Sequence, residues 1–133
     1  MLRSRHRPSD ARIDAGWPHQ VALPDDLCCQ PNFETILAWF KEHGVERMIR
    51  NVQAIWPDRH EENWRLHCFR DPAHAAAFLA DFGGVPFDPK KDRDNGRARG
   101  AWRRTDEYRR IVESGPLKIN PVFLRGPGNM DYD

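Results

Sequence analysis

The residues most suited to acid–base chemistry lie around the start of one predicted helix. Asp71 and His74 are three positions apart, which places them on one helical face, and His67 precedes them on a predicted strand. A carboxylate that orients an imidazole can support a general base. Asp71 is equally suited to cap the helix, which would bind its carboxylate to backbone N–H groups. These three residues define one functional alternative, a small enzyme.

Six side chains have the chemistry of metal ligands, but their spacing matches no metal-binding motif. They are Cys28, Cys29, His60, His67, Cys68 and His74. The spacings C-x2-C, H-x3-H and H-E-x-x-H are absent, as are the phosphate-binding loop and the dinucleotide fingerprint. The sequence therefore predicts no metal and no cofactor.

Cysteine usage and hydropathy indicate the compartment. The cysteine count is odd, and two of the three cysteines are adjacent, which favours reduced thiols over disulfides. The apolar runs are only a few residues long, far short of a membrane span, and the first residues are basic rather than apolar. We predict a cytoplasmic protein that does not contact a membrane.

A basic segment gives the strongest indication of a partner. The net charge of the whole chain is +1, yet residues 15–88 sum to −5 and residues 89–110 to +5. Arginine binds phosphate in a bidentate manner, and a neighbouring aromatic ring can stack on an unpaired base. The predicted binding residues are Arg97, Arg99, Trp102, Arg103, Arg104 and Tyr108. The rival interpretation is a solvated linker that folds back on the acidic body.

Two helices are predicted by apolar residues at i, i+3, i+4 and i+7. Those residues are Phe33, Ile36, Leu37 and Phe40 in the first helix, and Ala75, Phe78, Leu79 and Phe82 in the second. Asn32 is the expected N-cap of the first helix and Asp71 that of the second, while Gly44 and Gly83 end them.

Strands are predicted on either side of these helices, at 17–24, 46–56, 63–69 and 85–87. The resulting order, β-α-β-β-α-β, is the ferredoxin-like arrangement of an α+β protein. Right-handed crossovers would place both helices on one face of the sheet. The other face would be open to solvent or covered by the C-terminal tail.

The chain divides by composition into four parts. Residues 1–14 are expected to be a flexible basic arm, 15–88 the ferredoxin-like body, and 89–102 a basic linker. Residues 103–133 are expected to hold a third helix, about Thr105–Ser114, and an extended tail. Acidic residues in the first turn of that helix would favour its dipole.

Four tryptophans fall in the body. Trp17, Trp56 and Trp64 are expected in the core. Trp39 lies off the apolar stripe of its helix, so we predict that it is half exposed and acts as an interface anchor.

Two stretches resemble known families. Residues 64–78, WRLHCFRDPAHAAAF, resemble the third strand and second helix of an RNA-recognition motif; this implies base-stacking positions at Trp64 and Leu66, the latter not aromatic here. The pattern F-x-D-P-A-H-A-x-x-F-x-x-x-F-G-G at 69–84, with the opening GWPHQVALP, is similar to short alphaproteobacterial proteins with no known activity.

These observations favour a small non-enzymatic binding protein, an adaptor or an inhibitor. The expected partner is a macromolecule, either a protein in a nucleic-acid-handling complex or nucleic acid itself, bound through the basic segment. Exposed sheet edges would also allow a homodimer.

Overall fold

A five-stranded sheet organises the protein in the computed structural model, which describes residues 7–124 and the side chains up to residue 122. The strands are β1 (His19–Pro24), β2 (Met48–Ile55), β3 (Glu61–Phe69), β4 (Val85–Phe87) and β5 (Trp102–Arg103). Their order in the sheet is β4-β1-β3-β2-β5. Neighbouring strands are antiparallel except β2 and β5, which are parallel. The α+β class predicted from sequence is confirmed.

Four helices accompany the sheet in the described part of the chain. They are α1 (Asp10–Gly16), α2 (Asn32–His43), α3 (Pro72–Phe82) and the short α4 (Pro121–Leu124). Asp71 caps α3 by accepting a hydrogen bond from the N–H of Ala73, as predicted. Gly44 ends α2 in the left-handed conformation, also as predicted. The predicted N-cap of α2 is wrong: Asn32 is its first helical residue and bonds instead to the carbonyls of Leu27 and Lys118.

The two long helices, α2 and α3, share one core with one face of the sheet. We call it the helix-side core, and it also receives residues from the 3-10 turn Asp25–Cys28 and from the C-terminal segment. Its buried members are Val21, Leu23, Leu27, Cys28, Ile36, Trp39, Phe40, Phe69, Phe78, Phe82, Leu117 and Ile119. The alternation of β3 places Phe69 on this face and its neighbour Cys68 on the other.

The opposite face of the sheet is also covered, by segments that the sequence suggested were mobile. We call this layer the aromatic core; its buried members are Ile13, Trp17, Ala22, Val52, Ala54, Trp56, Trp64, Leu66, Cys68, Phe87 and Trp102. The expected basic arm is wrong for residues 10–14, because they form most of α1 and Ile13 is fully buried. Ser9 caps this helix by accepting from the N–H of Arg12.

The expected basic linker, 89–102, is also folded onto the body. Pro89, Arg93 and Trp102 are buried, and Asp94–Gly96 form a 3-10 turn. The backbone N–H of Asp94 donates to the carbonyl of Ala101, which closes the segment on itself. The sequence suggested a linker because residues 88–100 contain no large apolar residue, but the buried side chains of Arg93 and Trp102 fix the segment to the body.

The predicted third helix, Thr105–Ser114, is wrong. The chain runs without helix to a small hairpin of β6 (Glu113–Ser114) and β7 (Leu117–Lys118). Gly115, at φ 56°, makes the turn, and the Ser114 hydroxyl donates to the carbonyl of Phe82. Burial of Leu117 in the helix-side core outweighs the local helix signals.

Within residues 7–124, no helix has the length and apolar character needed to cross a bilayer.

Candidate binding sites

His67 lies in the helix-side face of β3 rather than in a catalytic pocket. Its ring is 1% exposed and stacks on Phe78, with centroids 4.7 Å apart. Neither ring nitrogen has a hydrogen-bond partner. Burial, reinforced by the positive charges of Arg65 and Arg47, lowers the pKa of His67 to about 3. The imidazole is therefore neutral at physiological pH.

Asp71 and His74 do come together, at a small surface pocket of about 180 Å³ beside the start of α3. His67 is not among the residues that line this pocket. The Asp71 carboxylate accepts the N–H of Ala73 at 2.8 Å and so serves the helix. The geometry does not bring the three residues of the enzyme alternative into one site.

The cysteines do not form a reactive or metal-binding centre in the described residues. All three are free thiols, and Cys28 and Cys68 are buried. Burial raises the pKa of both of these thiols to about 12, which keeps them protonated. No group of three or more histidine, cysteine, aspartate or glutamate side chains between residues 7 and 122 could hold a metal ion.

Trp102, predicted as a base-stacking residue, is instead part of the aromatic core. It is 6% exposed and meets Trp64 edge to face at 5.5 Å and Phe87 in the same way at 5.0 Å. The guanidinium of Arg104 lies 4.4 Å above its ring. A base could not stack on Trp102 without displacing this packing.

The other predicted binding residues are mostly engaged within the chain. Arg103 pairs with Asp94 at 3.1 Å, and Arg104 with Asp106 at 2.8 Å. Tyr108 stacks on His60 at 3.6 Å. Burial and the nearby Glu62 carboxylate raise the pKa of the Tyr108 hydroxyl. Arg103 and Arg104 are thus paired with carboxylates of the basic segment itself, whereas Arg110 pairs with Asp26 of the acidic body at 3.0 Å.

Arg97 and Arg99 are the exception within the predicted set. Both side chains are exposed, and in the described part of the chain neither has an ion-pair partner within 4.0 Å. They lie on the loop between the 3-10 turn and β5.

Trp39 is not the half-exposed anchor that its helical position predicted. It is 5% exposed, and its Nε1 donates to Asp81 Oδ2 at 2.8 Å. Its ring meets Phe78 and Phe40 edge to face. Because α3 packs beside α2, the flank of α2 that carries Trp39 faces a helix rather than solvent.

A largely apolar groove of about 530 Å³ lies at the β4 edge of the sheet. One wall comes from α3, and the other from β1, β4 and the turn that follows. The apolar side chains of the α3 wall are Pro72, Ala75, Ala76 and Leu79, and Pro86 and Pro89 stand in the other wall. Ala76 is exposed, which leaves the α3 wall accessible.

The glycine pair before β4 allows the chain to pass close to β1 at this end of the groove. Gly84 has φ 108°, and a Cβ there would stand 2.6 Å from the carbonyl oxygen of Ala22. The turn beyond β4 is closed by its own carboxylates: Asp88 accepts from the N–H of Lys90, and Asp92 accepts from the N–H of Asp88. The backbone is therefore held in place both before and after β4, the strand that forms part of one wall of the groove.

Sequence reasoning missed this groove because its residues carry no chemical motif. The one available signal was the contrast on α3, where small residues follow Pro72 and large ones come later. Small side chains on an exposed helical face leave room that a large side chain would fill.

No family model, no curated protein and no solved structure matches this chain.

Proposed function

We propose that the protein is a non-enzymatic binding module that receives apolar side chains of a partner protein in the groove between α3 and β4. The observation that carries the proposal is the accessible apolar wall of α3, formed by Ala75, Ala76 and Leu79. Binding pockets are typically concave and mainly apolar, with a few polar groups at the margin. Here the margin holds His19, Lys90 and Asp92.

The edge of β4 determines how the partner binds. The strand is three residues long and carries Pro86 at its centre, which has no N–H to donate. Short edge strands with proline resist pairing with a further strand. The partner therefore inserts side chains into the groove, as a helix or a loop would, rather than adding a strand to the sheet.

The order of the strands also supports a fold class. We propose a ferredoxin-like body, which the antiparallel order β4-β1-β3-β2 and the α2 and α3 crossovers support.

The opposite edge strand, β5, has only two residues. At the β4 edge, a homodimer would thus use the groove and not strand pairing. The three free thiols support a role in the cytoplasm.

Selection of peptides from a random phage-displayed library tests the groove. Peptides selected on the wild-type protein should be rich in aromatic and aliphatic residues. They should bind the Ala76→Arg variant at least roughly tenfold more weakly, because the new side chain fills the groove. Ala80→Arg is the matched control: it changes an exposed alanine of the same helix outside the groove.

Two results would overturn the proposal. One is a set of selected peptides without apolar enrichment. The other is a set of peptides that bind the Ala76→Arg and Ala80→Arg variants with equal affinity. Sedimentation of the free protein runs in parallel. A dimer that Ala76→Arg dissociates and Ala80→Arg does not would identify a second copy of the chain as the occupant.

A nucleic acid bound through the basic segment is the second candidate. It is supported by the exposed side chains of Lys91, Arg97 and Arg99, which lack ion-pair partners in the described residues. Binding of a single-stranded oligonucleotide should then weaken with salt, and removal of each phosphate-binding side chain should lower the slope of log K against log salt by about 0.7. A slope that is about 1.4 lower in the Lys91→Ala, Arg97→Ala double variant supports this candidate; salt-insensitive binding or none contradicts it.

A further inference from the structure

A polar pocket of about 370 Å³ lies at the sheet edge opposite the apolar groove. It follows the part of β2 that β5 leaves uncovered, since β5 pairs only with Ala54 and Ile55. The pocket borders residues 50–53 of β2, and Arg99, Gly100 and Ala101 close it from the other side.

Two buried arginines form one side of this pocket. The side chains of Arg50 and Arg93 are 3% and 1% exposed. Arg50 Nη1 donates to Asp14 Oδ2 at 2.8 Å and to the carbonyl of Asp10 at 3.0 Å, and its Nη2 donates to the carbonyl of Ala98. Arg93 Nη1 donates to the carbonyl of Gly100 at 3.0 Å.

These contacts leave several buried N–H groups without an acceptor. Nε of Arg50 and both Nε and Nη2 of Arg93 have no hydrogen-bond partner, although the Arg93 Nε lies 3.7 Å from Asp14 Oδ2. A buried donor left unpaired destabilises the folded state, and more so when it is charged. Both side chains are among the residues that line the pocket, and the Arg93 guanidinium also lies 5.3 Å from the centroid of the Phe87 ring.

The charges around the pocket do not balance. Four arginines, Arg7, Arg50, Arg93 and Arg99, stand against two carboxylates, Asp10 and Asp14. The nearby Asp94 is already paired with Arg103. The excess is two positive charges. Burial and the nearby charge of Arg50 lower the pKa of Arg93, as expected for like charges held close together.

We propose that this pocket binds a phosphate group, with Arg50 and Arg93 at its inner side and Arg99 at its mouth. A phosphate monoester carries about −1.5 to −2 charges at pH 7, which matches the local excess, and its oxygens are strong acceptors for guanidinium groups. The planar guanidinium is well suited to bind such an oxyanion. This site is separate from the apolar groove and does not depend on the function proposed for it.

Calorimetric titration with inorganic phosphate, at constant ionic strength maintained with chloride, tests the site. Wild-type protein should show saturable binding of one phosphate. Arg99→Ala should weaken it roughly tenfold or more. Arg97→Ala is the matched control, because it removes the same charge from an exposed position two residues away that does not line the pocket. Neither exposed arginine is required by the core.

A second measurement reports on the buried donors. In protein labelled with 15N, the Nε–H resonances of Arg50 and Arg93 should shift with phosphate at the same affinity, whereas that of Arg97 should not. A parallel titration with glycerol 3-phosphate distinguishes a free phosphate ion from a phosphate group that belongs to a larger molecule. Binding of both ligands indicates a phosphate carried on a larger molecule, and binding of inorganic phosphate alone indicates the free ion.

Absence of saturable binding of either ligand would overturn the proposal and leave the two arginines as a purely structural fastening. Equal loss of affinity in Arg97→Ala and Arg99→Ala would also overturn it, because general charge would then explain the binding. Binding that leaves the Arg50 and Arg93 resonances unmoved would place the phosphate elsewhere.

Discussion

The two faces of the sheet differ in what covers them. The helix-side core is closed by two regular helices whose apolar residues recur with helical spacing. The aromatic core is closed by one short helix and by irregular chain, and it relies on tryptophan rings with guanidinium groups above them. Buried irregular chain can thus be as integral to a small protein as a helix, provided that its side chains are large.

Phe78→Ala removes a central ring of the helix-side core and should have the largest effect on stability. Phe78 is fully buried and contacts Trp39, Phe40 and Phe82 through its ring. We expect a loss of roughly 3–5 kcal/mol in the free energy of unfolding. Urea denaturation followed by circular dichroism measures it, and a transition midpoint equal to that of the wild type would contradict the packing described.

Trp102→Ala removes a buried ring from the aromatic core and tests whether this core contributes as much to the free energy of unfolding as the helix-side core does. We expect a loss of about 3 kcal/mol, at the lower end for a buried aromatic residue, because β5 is short. Arg104 would also lose the ring beneath its guanidinium. The same denaturation experiment applies. A change within error of zero would mean that residues 93–104 rest on the sheet without stabilising it.

The pH dependence of stability sharpens the comparison, because the helix-side core contains a buried histidine. The pKa of His67 is about 3 in the folded protein, against 6.5 for an unperturbed histidine. The unfolded state therefore binds more protons between these values, and stability falls as pH drops from about 6.5 towards 3. The slope for one proton is up to ~1.4 kcal/mol per pH unit.

His67→Leu should reduce this acid-side slope, whereas His74→Gln, at a partly exposed position, should retain it. Urea midpoints measured at successive pH values compare the three proteins. Identical slopes for wild type and His67→Leu would show that carboxylates alone determine the acid lability.

The smallest effect is expected at the margin of the helix-side core. Asp81→Ala removes the acceptor of the Trp39 indole, and we expect a loss of about 1 kcal/mol. Glu42→Ala is the control: Glu42 and Asp81 line the same surface depression between α2 and α3, but Glu42 makes no hydrogen bond to Trp39. Near-ultraviolet circular dichroism should report a changed Trp39 environment only in the first variant.

The sequence predicted what local periodicity encodes. The stripes of α2 and α3, the Asp71 cap and the alternation of β3 depend on neighbours in the chain, and they were recognisable. The burial of Ile13, Trp39 and Trp102 depends on contacts with distant segments, which periodicity does not report. The apolar groove was missed because its residues carry no chemical motif and because residues 18–21 join α3 and β4 only in the fold.

The hydrogen bonds of Asn32 have a consequence for the order in which the chain can fold during synthesis. Its amide donates to the carbonyls of Leu27 and Lys118, so the first long helix is joined to a strand 86 residues downstream. Leu117 and Ile119 complete the core beneath that helix. A chain emerging from the ribosome leaves this gap open until residues 117–119 are made. Nascent chains that stop before residue 117 would expose apolar surface and would be substrates for chaperones and proteases.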